Sequence, residues 1–111
     1  MGDHDTWRDL IERTLTEHIA DPVSHGDIRL YTIFDRGGDH YVVMAVGWDG
    51  TQRVHAPILH VDIIDGKIWV QHDGTEAGIA RDFVAAGVPR GSIVLAFKHP
   101  SRRQYTDYAA A

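Results

Sequence analysis

Residues 60–87, HVDIIDGKIWVQHDGTEAGIARDFVAAG, decide the fold, because strand, tight turn, strand and helix signals follow one another there with almost no spacer. Asp65-Gly66 stands between two apolar runs, and Asp-Gly is the dipeptide that most readily takes the positive φ angles of a two-residue hairpin turn. Counting outward pairs Ile64 with Lys67, Ile63 with Ile68, Asp62 with Trp69, Val61 with Val70, His60 with Gln71 and Leu59 with His72. One face then carries Leu59, Val61, Ile63, Ile68 and Val70; the other carries His60, Asp62, Trp69 and Gln71. Asp73 is placed to cap a following helix, with Gly74 at the bend and Glu76 in the capping-box position. That helix is expected to run to Ala86, with Gly87 at the left-handed C′ position and Pro89 preventing its resumption.

Working outward, Trp7, Leu10, Ile11, Thr14, Leu15, His18 and Ile19 repeat at helical spacing, while Asp9, Glu12, Arg13 and Glu17 face away. Asp5 or Thr6 can cap this helix and Pro22 ends it, leaving residues 20–26 as a loop. His18 falls on the apolar stripe and is expected to be partly buried and satisfied by a hydrogen bond. Residues 28–34 have the β-branched and aromatic content of a strand, and DRGGDH turns it into a second strand over 41–48. A second Asp-Gly, at 49 and 50, predicts pairing of Trp48 with Thr51, Val46 with Arg53 and Ala45 with Val54. The apolar parity changes around Pro57, which cannot donate to a ladder, so a bulge or break is expected there. A continuous apolar run, SIVLAF over 92–97, supplies a fifth, buried strand. The reading is a single α+β domain over residues 1–111 in the order αββββαβ, its mainly antiparallel sheet covered on one face by both helices.

Composition narrows the function. With 111 residues, the chain is long enough for one core and too short for two. No run approaches the roughly 18 apolar residues of a membrane span, and the polar N-terminus does not read as a signal peptide, so the expected location is cytoplasmic, with no membrane role. A formal charge of −5 argues against direct DNA binding, whose affinity comes mainly from neutralising phosphates with Lys and Arg. Cysteine is absent, which removes disulfides, thiolate nucleophiles and thiolate zinc sites.

Catalytic motifs are sparse. No G-x-S-x-G elbow and neither phosphate-loop pattern occurs, and Asp73-Gly74-Thr75-Glu76 is explained by helix capping. Histidine and aspartate are frequent, and imidazole with carboxylate is a ligand set for zinc, manganese or non-haem iron. On the predicted register His60 and Asp62 share a face and His72 points to the other, so a metal triad needs His55, His40 or a loop residue to complete it. A metal-dependent enzyme using His55, His60, Asp62 or His72 is therefore the alternative reading, while no catalytic residue, metal or cofactor is assigned. The basic end, Lys98, Arg102 and Arg103 with Tyr105 and Tyr108, is the candidate partner-binding surface, since Arg and Tyr concentrate interface energy. The competing account is a tail whose tyrosines pack back on the domain.

These residues together resemble a known family, the XisI-like proteins, named for a factor controlling excision of the fdxN DNA element. The resemblance spans residues 33–108 and rests on Ile33-Phe34-Asp35, Asp39-His40-Tyr41, Val46-Gly47-Trp48, His60-Val61-Asp62-Ile63, Gly66-Lys67-Ile68-Trp69-Val70-Gln71, Asp73-Gly74-Thr75-Glu76, Gly78-Ile79-Ala80, Gly87-Val88-Pro89, Ile93-Val94-Leu95-Ala96-Phe97 and Arg103-Gln104-Tyr105-Thr106-Asp107. The N-terminal helix matches in pattern, whereas Pro57 and the Tyr-Ala-Ala-Ala end depart from it. The resemblance implies a non-enzymatic cytoplasmic accessory protein that works with a XisH-like, nuclease-fold partner in control of DNA element excision and carries no catalytic residues; with the acidic charge, any contact with DNA is expected to be indirect, and self-association stays open.

Overall fold

The computed structural model describes residues 3–19 and 27–111; the loop expected at 20–26, with Pro22, lies outside them. Helix α1 (Asp3–Ile19) precedes strands β1 (Asp27–Asp35), β2 (His40–Asp49), β3 (Gln52–Ile64) and β4 (Lys67–Asp73). Helix α2 (Ile79–Ala85), strand β5 (Ile93–Leu95) and a short helix α3 (Pro100–Arg103) follow. The sheet order is β1-β2-β3-β4-β5, antiparallel except for the parallel β4–β5 pair that α2 connects. No described helix is long and apolar enough to cross a membrane.

Both longer helices pack on one sheet face, as the apolar patterns require. Leu10, Ile11 and Leu15 of α1 and Ile79, Ala80 and Phe83 of α2 form one buried cluster with Tyr41, Val43, Leu59, Val61, Ile63, Ile68 and Val70. The Asp65-Gly66 turn has φ of 49° and 76°, the paired positive values of a type I′ turn, and the first four predicted β3–β4 pairs form around it. α1 begins at Asp3, ahead of the caps expected at Asp5 or Thr6. His18 is half-buried as expected, but its Nε2 lies 3.6 Å from Asp82 Oδ2 across the helix pair, too far for the expected hydrogen bond.

Three expectations are corrected. The β2–β3 turn falls on Gly50-Thr51, so Trp48 pairs with Arg53, Val46 with His55 and Ala45 with Ala56. Gly50, at φ 61°, supplies the positive angle at the first central position, and Asp49 stays in the ladder opposite Gln52. This displacement is two residues, so every side chain keeps its face and the apolar alternation cannot tell the two registers apart. Beyond Val61–Val70, β4 carries a bulge, so His60 pairs with His72 and Leu59 with Asp73 while Gln71 leaves the ladder. The expectation that His72 lies on the face away from His60 fails at that bulge. Finally, α2 starts at Ile79, not just after Asp73.

The expected Pro57 irregularity is present: Val43 pairs with Leu59 and Met44 with Pro57, leaving Ile58 as the extra residue. Its carbonyl accepts a hydrogen bond of 2.7 Å from the Gly74 N–H. Asp73 still caps α2, but across an intervening loop: Oδ2 accepts from the Ile79 N–H at 2.7 Å, and Oδ1 accepts from the Thr75 N–H at 2.9 Å. Glu76 lies ahead of the helix, which starts at Ile79, so the predicted capping box does not form. At the other end Gly87 takes φ 108°, and the Val88 N–H donates to the Phe83 carbonyl at 3.0 Å, closing the helix as predicted.

Replacing Gly66 with Val is expected to lower stability by about 1–3 kcal/mol in chemical denaturation, because a β-branched residue resists positive φ. An unchanged midpoint would refute this turn assignment. Asp73→Ala is expected to cost about 1–2 kcal/mol and Glu76→Ala only tenths of a kcal/mol, in the same assay; equal losses would contradict the long-reach cap.

Candidate functional site

The sheet face away from α1 and α2 carries the chemistry. His40 opens β2 and pairs directly with Asp62 of β3; His60, two residues before Asp62, projects from the same face. Asp62 is buried, with 6% of its surface exposed, which makes it the charged group whose position most needs explanation. Its Oδ1 meets His40 Nδ1 and His60 Nε2, each at 2.8 Å, and its Oδ2 accepts from Gln71 Nε2 at 3.1 Å. Gln71 is free to do this because the bulge removes it from the β4 ladder. The two imidazoles stand edge to face with centroids 6.5 Å apart.

A second network holds His40 in place. The adjacent Asp39 has a left-handed backbone, φ 59°, and its carboxylate receives Arg8 of α1 through Nε at 2.7 Å and Nη2 at 3.1 Å. Tyr41 on its other side is fully buried and donates its hydroxyl to Asp39 Oδ1 at 3.0 Å; burial, then this bond, pushes its phenol well up. Arg36 in the same β1–β2 loop bonds Asp9 and Glu12 of α1. The first half of α1 thus clamps the loop from which His40 emerges.

Of the candidate metal residues, His60 and Asp62 are brought together and His40 completes the group. His55, opposite Val46, and His72, opposite His60, are exposed and outside it. Sequence spacing joined His60 to Asp62, but the link to His40 depends on the β2–β3 register. Around the cluster the face is apolar and open: on β1, Tyr31 is 44% and Ile33 56% exposed.

The four candidate partner residues divide into two pairs. Arg102 is exposed and Tyr105 is 82% exposed. Arg103 turns inward, donating from Nε to the Lys98 carbonyl at 3.0 Å and from Nη2 to the Ala96 carbonyl at 3.1 Å, with its guanidinium 5.5 Å from the Trp69 ring. Tyr108 packs against the core, and the chain beyond it runs along β5 through a Val94–Ala109 bridge. The tail therefore covers the β5 edge and the Trp69 part of the open face, and β5 is shorter than the predicted 92–97.

The family profile described as XisI protein matches residues 1–110. The chain belongs to the XisI family. A crystal structure of a XisI-like protein from Anabaena variabilis is similar over 97% of this chain and 99% of that one, at 41% identity and a TM-score of 0.90. The structure of the fdxN element excision controlling factor XisI from the same organism covers 99% of this chain and 100% of its own, at 32% identity and a TM-score of 0.84. No curated protein matches the chain. The match takes in α1 as well as the residues 33–108 on which the XisI resemblance first rested.

The Asp62 contact raises the His40 pKa above its ordinary 6.5, with the hydrogen bond as the largest cause and the charge next. Because the folded value is the higher one, this pair stabilises the fold fully below about 6.5 and the contribution disappears as pH rises through the elevated value. An NMR titration is expected to place the His40 midpoint above 6.5 and to bring it down in Asp62→Asn. A midpoint unchanged by that substitution would exclude Asp62 as the cause.

Proposed function

We propose that this XisI-family protein is a non-enzymatic accessory factor of the cytoplasm that regulates excision of a DNA element through a protein partner. The observation that carries the proposal is full-length similarity to a solved relative described as the fdxN element excision controlling factor. That role is one of control, which disfavours the alternative of a metal-dependent enzyme. The acidic balance of the chain, −5, supports indirect contact with DNA, since direct affinity needs a surface that neutralises phosphates. The partner of choice is a XisH-like, nuclease-fold protein.

The proposed contact surface is the C-terminal segment, divided by role. Arg102 and Tyr105 offer a planar cation and a phenol to a partner, and their exposure supports direct contact. Arg103 and Tyr108 support the segment from beneath, one by tying two carbonyls to Trp69 and the other by packing on the core.

The double change Arg102→Ala and Tyr105→Ala is expected to leave thermal stability within about 1 kcal/mol while weakening capture of a co-encoded XisH-like partner by about tenfold or more. Unaffected capture would refute the surface. In fluorescence anisotropy the protein alone is expected to show no specific DNA binding at physiological salt. Submicromolar binding there would overturn the indirect mode.

A further inference from the structure

We propose that His40, His60 and Asp62 form a binding site for a divalent transition ion of the zinc class, a property independent of partner binding. The three donor atoms, one from each residue, lie within 4.8 Å of one another. A zinc-class ion held tetrahedrally at about 2.0–2.2 Å by nitrogen and carboxylate oxygen sets its ligands about 3.4 Å apart, a spacing this cluster reaches by opening each contact by about half an ångström. Both imidazole nitrogens already stand 2.8 Å from Asp62 Oδ1. Two histidines and one carboxylate suit zinc and its neighbours better than calcium or magnesium, which prefer oxygen alone.

Charge neutralisation by itself does not account for this arrangement. One protonated imidazole balances one carboxylate, yet two imidazoles converge on the same oxygen. The second oxygen is turned away to Gln71, whose amide donates to it at 3.1 Å. A carboxylate ligand fixed through its rear oxygen is the usual outer support of a metal site, because it directs the forward lone pairs toward the ion. The ligands also sit on paired strands, and Asp39 next to His40 is gripped by Arg8, so little ordering remains for the ion to impose. The His40 and His60 side chains are 57% and 35% exposed, which leaves an entry path and positions open to water.

Full-length protein stripped with EDTA and dialysed is titrated with zinc chloride by calorimetry, and with cobalt chloride by visible absorption. The expected result is one ion per chain with Kd below about 10 μM, and cobalt bands showing nitrogen ligation. His40→Ala, an exposed position that leaves the core intact, is expected to weaken zinc binding by about tenfold or more, with unchanged circular dichroism; Gln71→Leu is expected to cost about tenfold. His55→Ala and His72→Ala serve as controls and are expected to bind as the parent does. Absence of saturable binding below about 100 μM overturns the proposal. So does parent-like affinity in both His40→Ala and His60→Ala, because the ion would then sit elsewhere.

Discussion

Strand β3 has to satisfy two neighbours at once, and the rest of the molecule depends on that constraint. Its Leu59, Val61 and Ile63 anchor the core against α1 and α2, while its backbone bonds β2 on one edge and β4 on the other. Over its 13 residues neither ladder stays in step without interruption. The structure resolves this with two extra residues, Ile58 on β3 itself and Gln71 on β4. Each has a use outside the ladder: the Ile58 carbonyl ties down Gly74 before α2, and the Gln71 amide supports Asp62.

The same compromise gives the two sheet faces different work. The helix-covered face is continuous and apolar, so it supplies most of the stabilisation through burial. The opposite face contains a buried carboxylate surrounded by polar donors, an arrangement that costs desolvation and is offset only while those donors stay in place. The Arg8–Asp39 and Arg36–Asp9–Glu12 contacts bind helix to loop, and so link the covered face to the open one.

The C-terminal segment illustrates how one composition can serve two purposes. Arg102 and Arg103 are adjacent and chemically alike, yet the short α3 turns one to solvent and the other onto Trp69. Successive residues of a helix point in directions about a quarter-turn or more apart, so neighbouring side chains need not share an environment. Trp69, on the sheet face that no long helix covers, is thereby half-buried, and the β5 edge acquires a partner in the returning tail.

Local chemistry in the chain was enough to determine the α1 stripe, the Asp65-Gly66 turn, the set of residues facing the core, the irregularity at Pro57 and the end of α2. Each depends on near neighbours or on a period of two or 3.6 residues, which a linear chain displays directly. The capping of Ile79 by Asp73 was legible in residue type but not in reach, because a loop can intervene before the helix starts. Only the tertiary structure decided that Asp62 faces His40. With the turn at Asp49-Gly50 and the same bulge, His40 would stand opposite His60, two residues earlier on β3. Alternation of side chains is blind to a displacement of two, so the choice fell to Gly50 taking the first central turn position and to the long-range packing that holds β2 against β3.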